Sequence, residues 1–456
     1  MRKTKRRLET LSFYDHTGIS AHLEKMAAKG WMLERVANYG WIYRRMEPRK
    51  LHFAVSYYPK ASEYDPEYPD GQQTLHAFCA HTGWKLVCTT FQMQVFCNEN
   101  ENPIPIETDP VLEVETIHAS MMKSFFWGNV VLLVLSVIMG GSFLLGIYGN
   151  VIYTLADPMK VFTGFCWLLL FVLTATELIA YFRWHRRAEE AAEQGFFLDT
   201  PDTSKIQKTC LWLLGAAGAY LIVNFVSVGN TMMLFVIGGM AVFMCLTYFA
   251  ADSIKRLFKK WKLSRNTNRI VSFLLTWLVA FMTMNLVTFG TLALKEKGFF
   301  EPKDKVTQTE HPLRVEDLLD VEHRYVVEGS PKESIFLALR HVRQRPWFDV
   351  EDWSAVPHME YDLVEVKWPF LYDDVKAQLV KALTQAQQQI PYEDRDQLEP
   401  VDASPWGARE AYRVVDIHDD LGMNRYLLCY EDALVDIRFS WEITPEQMAV
   451  VAEKIG

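Results

Sequence analysis

Five apolar runs constrain this chain more than any other feature of its 456 residues. They cover residues 125–148, 161–182, 210–228, 232–249 and 270–294, and each is 18 to 25 residues long. A helix of about 20 residues crosses roughly 30 Å of hydrocarbon. Four runs hold no Asp, Glu, Lys or Arg, and the second holds only Glu177. Lipid offers no partner to an unpaired peptide group, so each run is expected to be helical. The sequence therefore predicts a five-helix transmembrane bundle between two polar flanks. Residues 8–53 lack the apolar centre of a signal peptide, so insertion is expected to use the internal helices.

Lys and Arg alternate between the connections: one in 149–160, five in 183–209, none in 229–231 and seven in 250–269. Basic loops stay on the cytoplasmic side. The expected protein is a multi-pass component of the cell membrane with a cytoplasmic N-terminus and an extracytoplasmic C-terminus. Lys295, Lys297, Lys303 and Lys305 argue weakly against this, since the rule loses force ahead of a long domain. The net charge of −9 is unevenly spread. Residues 295–456 carry 19 Lys/Arg against 33 Asp/Glu; the rest carry 28 against 23. Three regions are expected: 1–117, 118–294 and an acidic 295–456. Of seven cysteines only Cys429 lies in the last region, which therefore cannot close a disulfide of its own.

The first flank reads as an α+β cytoplasmic domain. Asp15 can cap a helix with an apolar stripe of Ile19, Leu23, Met26 and Ala27, stopped by Gly30. Residues 31–36, 41–46 and 51–57 alternate as strands do, 71–82 reads as a helix stopped by Gly83, and 84–90 and 91–97 as a strand pair. Residues 26–33 and 79–86 echo each other, each running helix, Gly, Trp, strand. Two such units on one sheet suggest a ferredoxin-like two-layer sandwich. The five basic residues of 1–7 read as a solvated tail.

Several motifs fall in order here: Leu11-Ser12-Phe13-Tyr14-Asp15, Glu24-Lys25-Met26-Ala27-Ala28-Lys29-Gly30-Trp31, Lys50-Leu51-His52-Phe53, Tyr57-Tyr58-Pro59-Lys60 and Gly83-Trp84-Lys85-Leu86. With 102–109 they resemble a bacterial family of domains of unknown function, number 2812, over roughly residues 3–117. The resemblance implies a membrane-bound protein typical of Gram-positive Firmicutes, with a PadR-like transcription regulator as partner. It implies no catalytic residues.

Glu177 is the candidate intramembrane residue: an ion or proton site, or a carboxyl near the cytoplasmic end reaching Arg183 or His185, which its position favours. Lys255, Arg256, Lys259, Lys260, Trp261 and Lys262 form a basic amphipathic extension of the fourth span, suited to anionic headgroups or an acidic cytoplasmic partner. Topology alone explains this charge, so no direct nucleic-acid contact is expected. Gly215-Ala216-Ala217-Gly218-Ala219 lets helices approach closely; packing within the chain is preferred over a homo-oligomer face. His76, Cys79, His81, Cys88 and Cys97 match no standard zinc spacing, so neither metal nor cofactor is expected.

The last flank reads as a second α+β domain, extracytoplasmic. Helices are expected over 333–342, 371–388 and 444–455, strands over 361–368, 412–418, 425–430 and 433–441, and a loop over 389–407. His341, His358 and His418 are scattered, and Asp416, Asp419 and Asp420 read as a solvated turn. Trp353, Trp368, Trp406 and Trp441 could line a cleft, though core and rim packing is simpler. The layout suits a sensor or regulatory transducer. A transport component is the alternative, although Glu177 and Asn224 are nearly its only polar groups. A membrane enzyme would need convergent catalytic groups that no motif supplies.

Overall fold

The computed structural model describes residues 4–37, 40–227, 229–300, 312–321, 325–346, 356–385, 397–415 and 424–456. The chain forms two compact units: Met1–Ile138 with Cys166–Phe300, and Met139–Phe165 with Glu301–Gly456.

The N-terminal domain is built twice over. β1 (Thr4–Arg7), α1 (His16–Ala28), β2 (Trp31–Ala37) and β3 (Gly40–Arg45) form one βαββ unit with sheet order β1-β3-β2. β4 (His52–Tyr57), α2 (Asp70–His81), β5 (Lys85–Thr90) and β6 (Met93–Asn98) repeat it with order β4-β6-β5. Every pairing is antiparallel, and the second strand of each unit bulges at the same point of the echo, after Leu33 and after Leu86. Gly30 and Gly83 end the two helices at φ of 77° and 87°, where a side chain would be strained. The strands make two three-stranded sheets, so the single-sheet ferredoxin-like arrangement is not confirmed. Residues 4–7 are not a free tail: their backbone pairs with β3 while all four side chains stay exposed. Both units share one core of Tyr14, Ile19, Leu23, Leu33, Tyr43, Phe53 and Val95.

α3 (Pro110–Met121) runs through a π turn into α4 (Trp127–Gly149). The short α5 (Val151–Leu155) follows, then α6 (Pro158–Glu193), α7 (Ser204–Ser227), α8 (Thr231–Lys260) and α9 (Arg265–Glu296). Among the described residues, five helices are thus long and apolar enough to cross a membrane. Most of their apolar side chains are exposed, an arrangement that calls for lipid. Asn230 caps α8, its side chain accepting from the Met233 amide at 3.0 Å, and Gly229 takes φ 69° in the expected tight turn. The packing expected at Gly215 and Gly218 is not made: a Cβ at either would meet nothing within 4 Å. On α7 the buried apolar side chains are Cys210, Leu221 and Phe225 instead. Close approach falls to Gly239 of α8, where a Cβ would come within 2.8 Å of Val287 on α9.

The C-terminal domain holds α10 (Val315–Leu318), β7 (Tyr325–Glu333), β8 (Leu337–Pro346), β9 (Met359–Val366), α11 (Tyr372–Gln385), β10 (Gln397–Val401), β11 (Glu410–Val415), β12 (Asn424–Cys429), β13 (Ala433–Phe439) and α12 (Pro445–Ile455). Among the described residues its seven strands form one antiparallel sheet in the order β10-β11-β12-β13-β9-β8-β7. Two sequence expectations fail here. Residues 333–342 form strands rather than a helix, and β10 falls in the expected loop over 389–407. Leu337, Ala338 and Leu339 are all buried, and a strand buried on both faces has the same unbroken apolar run as a core helix. One sheet face packs Tyr361, Val435, Ile437 and Phe439 under Val315, Leu318 and Val451. The other packs Val364, Leu427 and Leu434 under Val375, Leu379 and Leu383 of α11, together with residues 151–161.

Candidate coupling sites

In the first unit, the end of α6 is part of the N-terminal domain. Tyr181, Trp184, Ala188 and Ala192 are buried in its core, and Tyr14 packs on Tyr181 with ring centroids 5.1 Å apart. Glu177, one turn earlier, is half-buried and accepts from Ser12 Oγ at 2.8 Å and Gln207 Nε2 at 3.2 Å. Ser12 Oγ also lies 2.9 Å from Thr203 Oγ1. These partners replace Arg183 and His185. At about 100° per residue, Arg183 is rotated about 240° from Glu177 and points elsewhere. His185 instead stacks on His118 at 4.2 Å, with Nε2 3.4 Å from Glu189. Asp15 caps α1 through the Gly18 amide at 2.9 Å and also accepts from Thr200 Oγ1, tying the second connection to α1. Burial raises the Asp15 carboxyl despite those two donors.

An acidic loop of the N-terminal domain meets the fourth connection. Lys255 Nζ lies 3.0 Å from Glu63, Lys262 Nζ 2.7 Å from Glu67, and Arg265 grips Asp65 through Nε at 2.5 Å and a second nitrogen at 2.7 Å. Asn268 donates to the Tyr64 carbonyl at 3.1 Å. Thus Lys255 and Lys262 of the predicted basic stretch are engaged within the chain. Arg256 pairs with Asp252 on its own helix, while Lys259, Lys260 and Trp261 are exposed. A cleft of about 740 Å³ opens beside this contact, between Tyr68, Gln72 and Thr89 on one side and Asp252, Lys255 and Lys259 on the other. The hydrogen bond from Lys262 holds Glu67 below the usual glutamate range.

In the second unit, the connection between the first two spans enters the core of the C-terminal domain. Val151, Ile152, Leu155 and Ala156 are buried there. Gln378 of α11 brackets the turn: its Oε1 accepts from the Ile152 amide at 3.1 Å and its Nε2 donates to the Gly149 carbonyl at 3.0 Å. Ser334 Oγ donates to the Leu155 carbonyl, and Lys332 lies 3.8 Å from Asp157. In the sequence these residues read as a poorly charged connection, with the run Val151-Ile152-Tyr153 as a hint of burial. Further along the same sheet face a charged row crosses the strands. His341 Nδ1 meets Asp362 at 2.6 Å, Arg343 meets Glu360 at 2.7 Å, and Arg425 grips Asp436 at 2.8 and 2.6 Å. Burial raises Asp362, outweighing the hydrogen bond from His341.

His76 pairs with Gln94, Cys79 packs with Trp84 and Phe96, His81 is exposed, and Cys88 and Cys97 lie in β5 and β6. Among the described residues no three His, Cys, Asp or Glu side chains converge as metal ligands. His358 Nδ1 lies 3.1 Å from the Val356 carbonyl. Trp406 is core, Trp441 packs on Phe439 at 5.1 Å, and Trp368 is exposed. Trp353, Asp416, His418, Asp419 and Asp420 lie outside the described residues. No significant match to a curated protein or to a solved structure was found. Residues 16–128, from the start of α1 into α4, match the family model described as Protein of unknown function (DUF2812).

Proposed function

We propose that this chain is a membrane transducer that couples an extracytoplasmic C-terminal domain to a cytoplasmic N-terminal domain and its partner, a PadR-like transcription regulator. The observation that carries this reading is the division of α6. Its first turns belong to the unit of the C-terminal domain, with Val161 buried in that core; its last turns, Tyr181 to Ala192, are buried in the core of the N-terminal domain. α6 is one continuous helix from Pro158 to Glu193, and this covalent link is the coupling path of the reading. The sidedness draws support from charge. The two basic connections pack on the N-terminal domain and the poorly charged one on the C-terminal domain, as basic loops retained inside would require.

Two measurements test the reading. Cys79, Cys97 and Cys429 are buried, so a membrane-impermeant thiol reagent needs new sites: Lys85→Cys and Glu442→Cys, each in a Cys245→Ser background. Labelling of Glu442→Cys alone in intact cells is expected; labelling of Lys85→Cys alone reverses the topology. The full chain should co-purify with a PadR-like regulator, and Trp184→Ala should weaken that capture. Capture unchanged by every α6 variant would sink the coupling.

A further inference from the structure

We propose that the C-terminal domain is seated in the headgroup layer of the bilayer by an exposed wedge of Ile335, Trp368 and Phe370. These three large apolar side chains are 42%, 49% and 69% exposed at one end of the sheet. Their two loops are tied together: Trp368 Nε1 donates to the Ile335 carbonyl at 2.8 Å, and Lys367 Nζ donates to the Ser334 carbonyl at 2.7 Å. Trp368 and Phe370 stand side by side, ring centroids 6.2 Å apart.

The same loops hold the membrane hairpin. Ser334, next to Ile335, donates to the carbonyl of Leu155, and α6 begins three residues on, at Pro158. Leu371, next to Phe370, is buried in the core that contains Val151 and Val161, and Phe143 and Ile147 of α4 pack against that core. The wedge therefore lies beside the point where two spanning helices leave the hydrocarbon. Trp at that depth keeps its ring in the apolar boundary and its N–H near a polar partner. A soluble face would leave an apolar patch in water with no compensation. The bilayer is the occupant favoured over a soluble partner, because the hairpin fixes these loops at the membrane surface at all times. The inference depends on the spans alone and holds for either sidedness.

The test uses the full chain in phosphatidylcholine vesicles, spin-labelled at Ile335→Cys, Phe370→Cys or, as control, Glu442→Cys, in the Cys245→Ser background. All three positions are on the surface, so folding is retained. Labels at 335 and 370 should be relaxed several-fold more by lipid-soluble oxygen than by a water-soluble nickel chelate, with the order reversed at 442. Nickel access at 370 equal to that at 442 overturns the proposal. So does shielding of 370 from both reagents, which would place protein over the wedge.

Discussion

The acidic loop of the N-terminal domain and the sheet of the C-terminal domain each hold a connection between membrane helices, but with opposite chemistry. The first grips the fourth connection with Glu63, Asp65 and Glu67 against Lys255, Arg265 and Lys262. The second swallows the first connection, burying Val151, Ile152 and Leu155. Burying one such side chain contributes about 1.5–3 kcal/mol; of the three ion pairs Lys262–Glu67 lies open to solvent, while Asp65 is buried beneath Arg265. The hairpin is therefore a fixed part of its domain. The ionic contact is the more exposed of the two and the more open to screening by salt.

The comparison breaks most directly at the hairpin. Leu155→Ala should cost the C-terminal unit about 2–5 kcal/mol through lost burial and the cavity left behind. Limited proteolysis of the full chain against temperature should show the C-terminal domain becoming sensitive earlier, with the N-terminal domain unchanged. Equal sensitisation of both would mean that the hairpin is not a local core element.

At the ionic contact the largest effect belongs to Asp65, which is buried and accepts two bonds from Arg265. Asp65→Ala should cost about 1–3 kcal/mol locally, since Arg265 loses a bidentate partner while keeping the Lys60 carbonyl. Hydrogen exchange should rise across residues 255–268 and stay unchanged over 150–157.

How far the sequence could carry this contrast depends on range. The spans, the Gly-stopped helices and the echo around Trp31 and Trp84 are written in neighbouring residues, so they could be read directly. The echo even marks where both bulges fall, although the shared βαββ order needed β1, whose exposed side chains gave no apolar signal. Glu177 could be singled out by type, but its partners Ser12 and Gln207 are 165 and 30 residues away. The basic stretch could be read from its own residues, but its partners Glu63, Asp65 and Glu67 could not, because only folding matches them. The hairpin was missed because its burial is supplied by a sheet that starts more than 160 residues later.

Acidification sharpens the contrast inside the domains. Glu9 is buried, which alone would raise its carboxyl, but bonds from His22 and Tyr43 and the charge of Arg7 hold it below the ordinary 4.5. A lowered folded value means stability present above 4.5 and lost as pH falls through the folded value. Asp362 is the reverse: facing His341, Asp436 and Glu360, it is raised above 3.8 by burial. Its contribution is largest in acid and fades as pH rises through the folded value. The stability gap between wild type and Glu9→Gln should therefore close in acid. For Asp362→Asn the wild type should instead gain stability relative to the variant as pH falls, because the buried carboxyl becomes neutral like the amide, measured by urea midpoints with a fluorescence reporter in each domain. Parallel slopes would refute the assignment.

The smallest effect is expected at Lys262. Its partner Glu67 is equally open to solvent, with side chains 74% and 65% exposed, so water and salt screen the pair almost fully. Lys262→Ala should leave stability nearly unchanged and exchange across 150–157 untouched. The same variant in high salt should be indistinguishable from wild type, because screening has already removed what the substitution removes. A loss that persists in high salt would mean Lys262 acts through its aliphatic stem, and that the grip on the fourth connection is more like the hairpin's than charge alone allows.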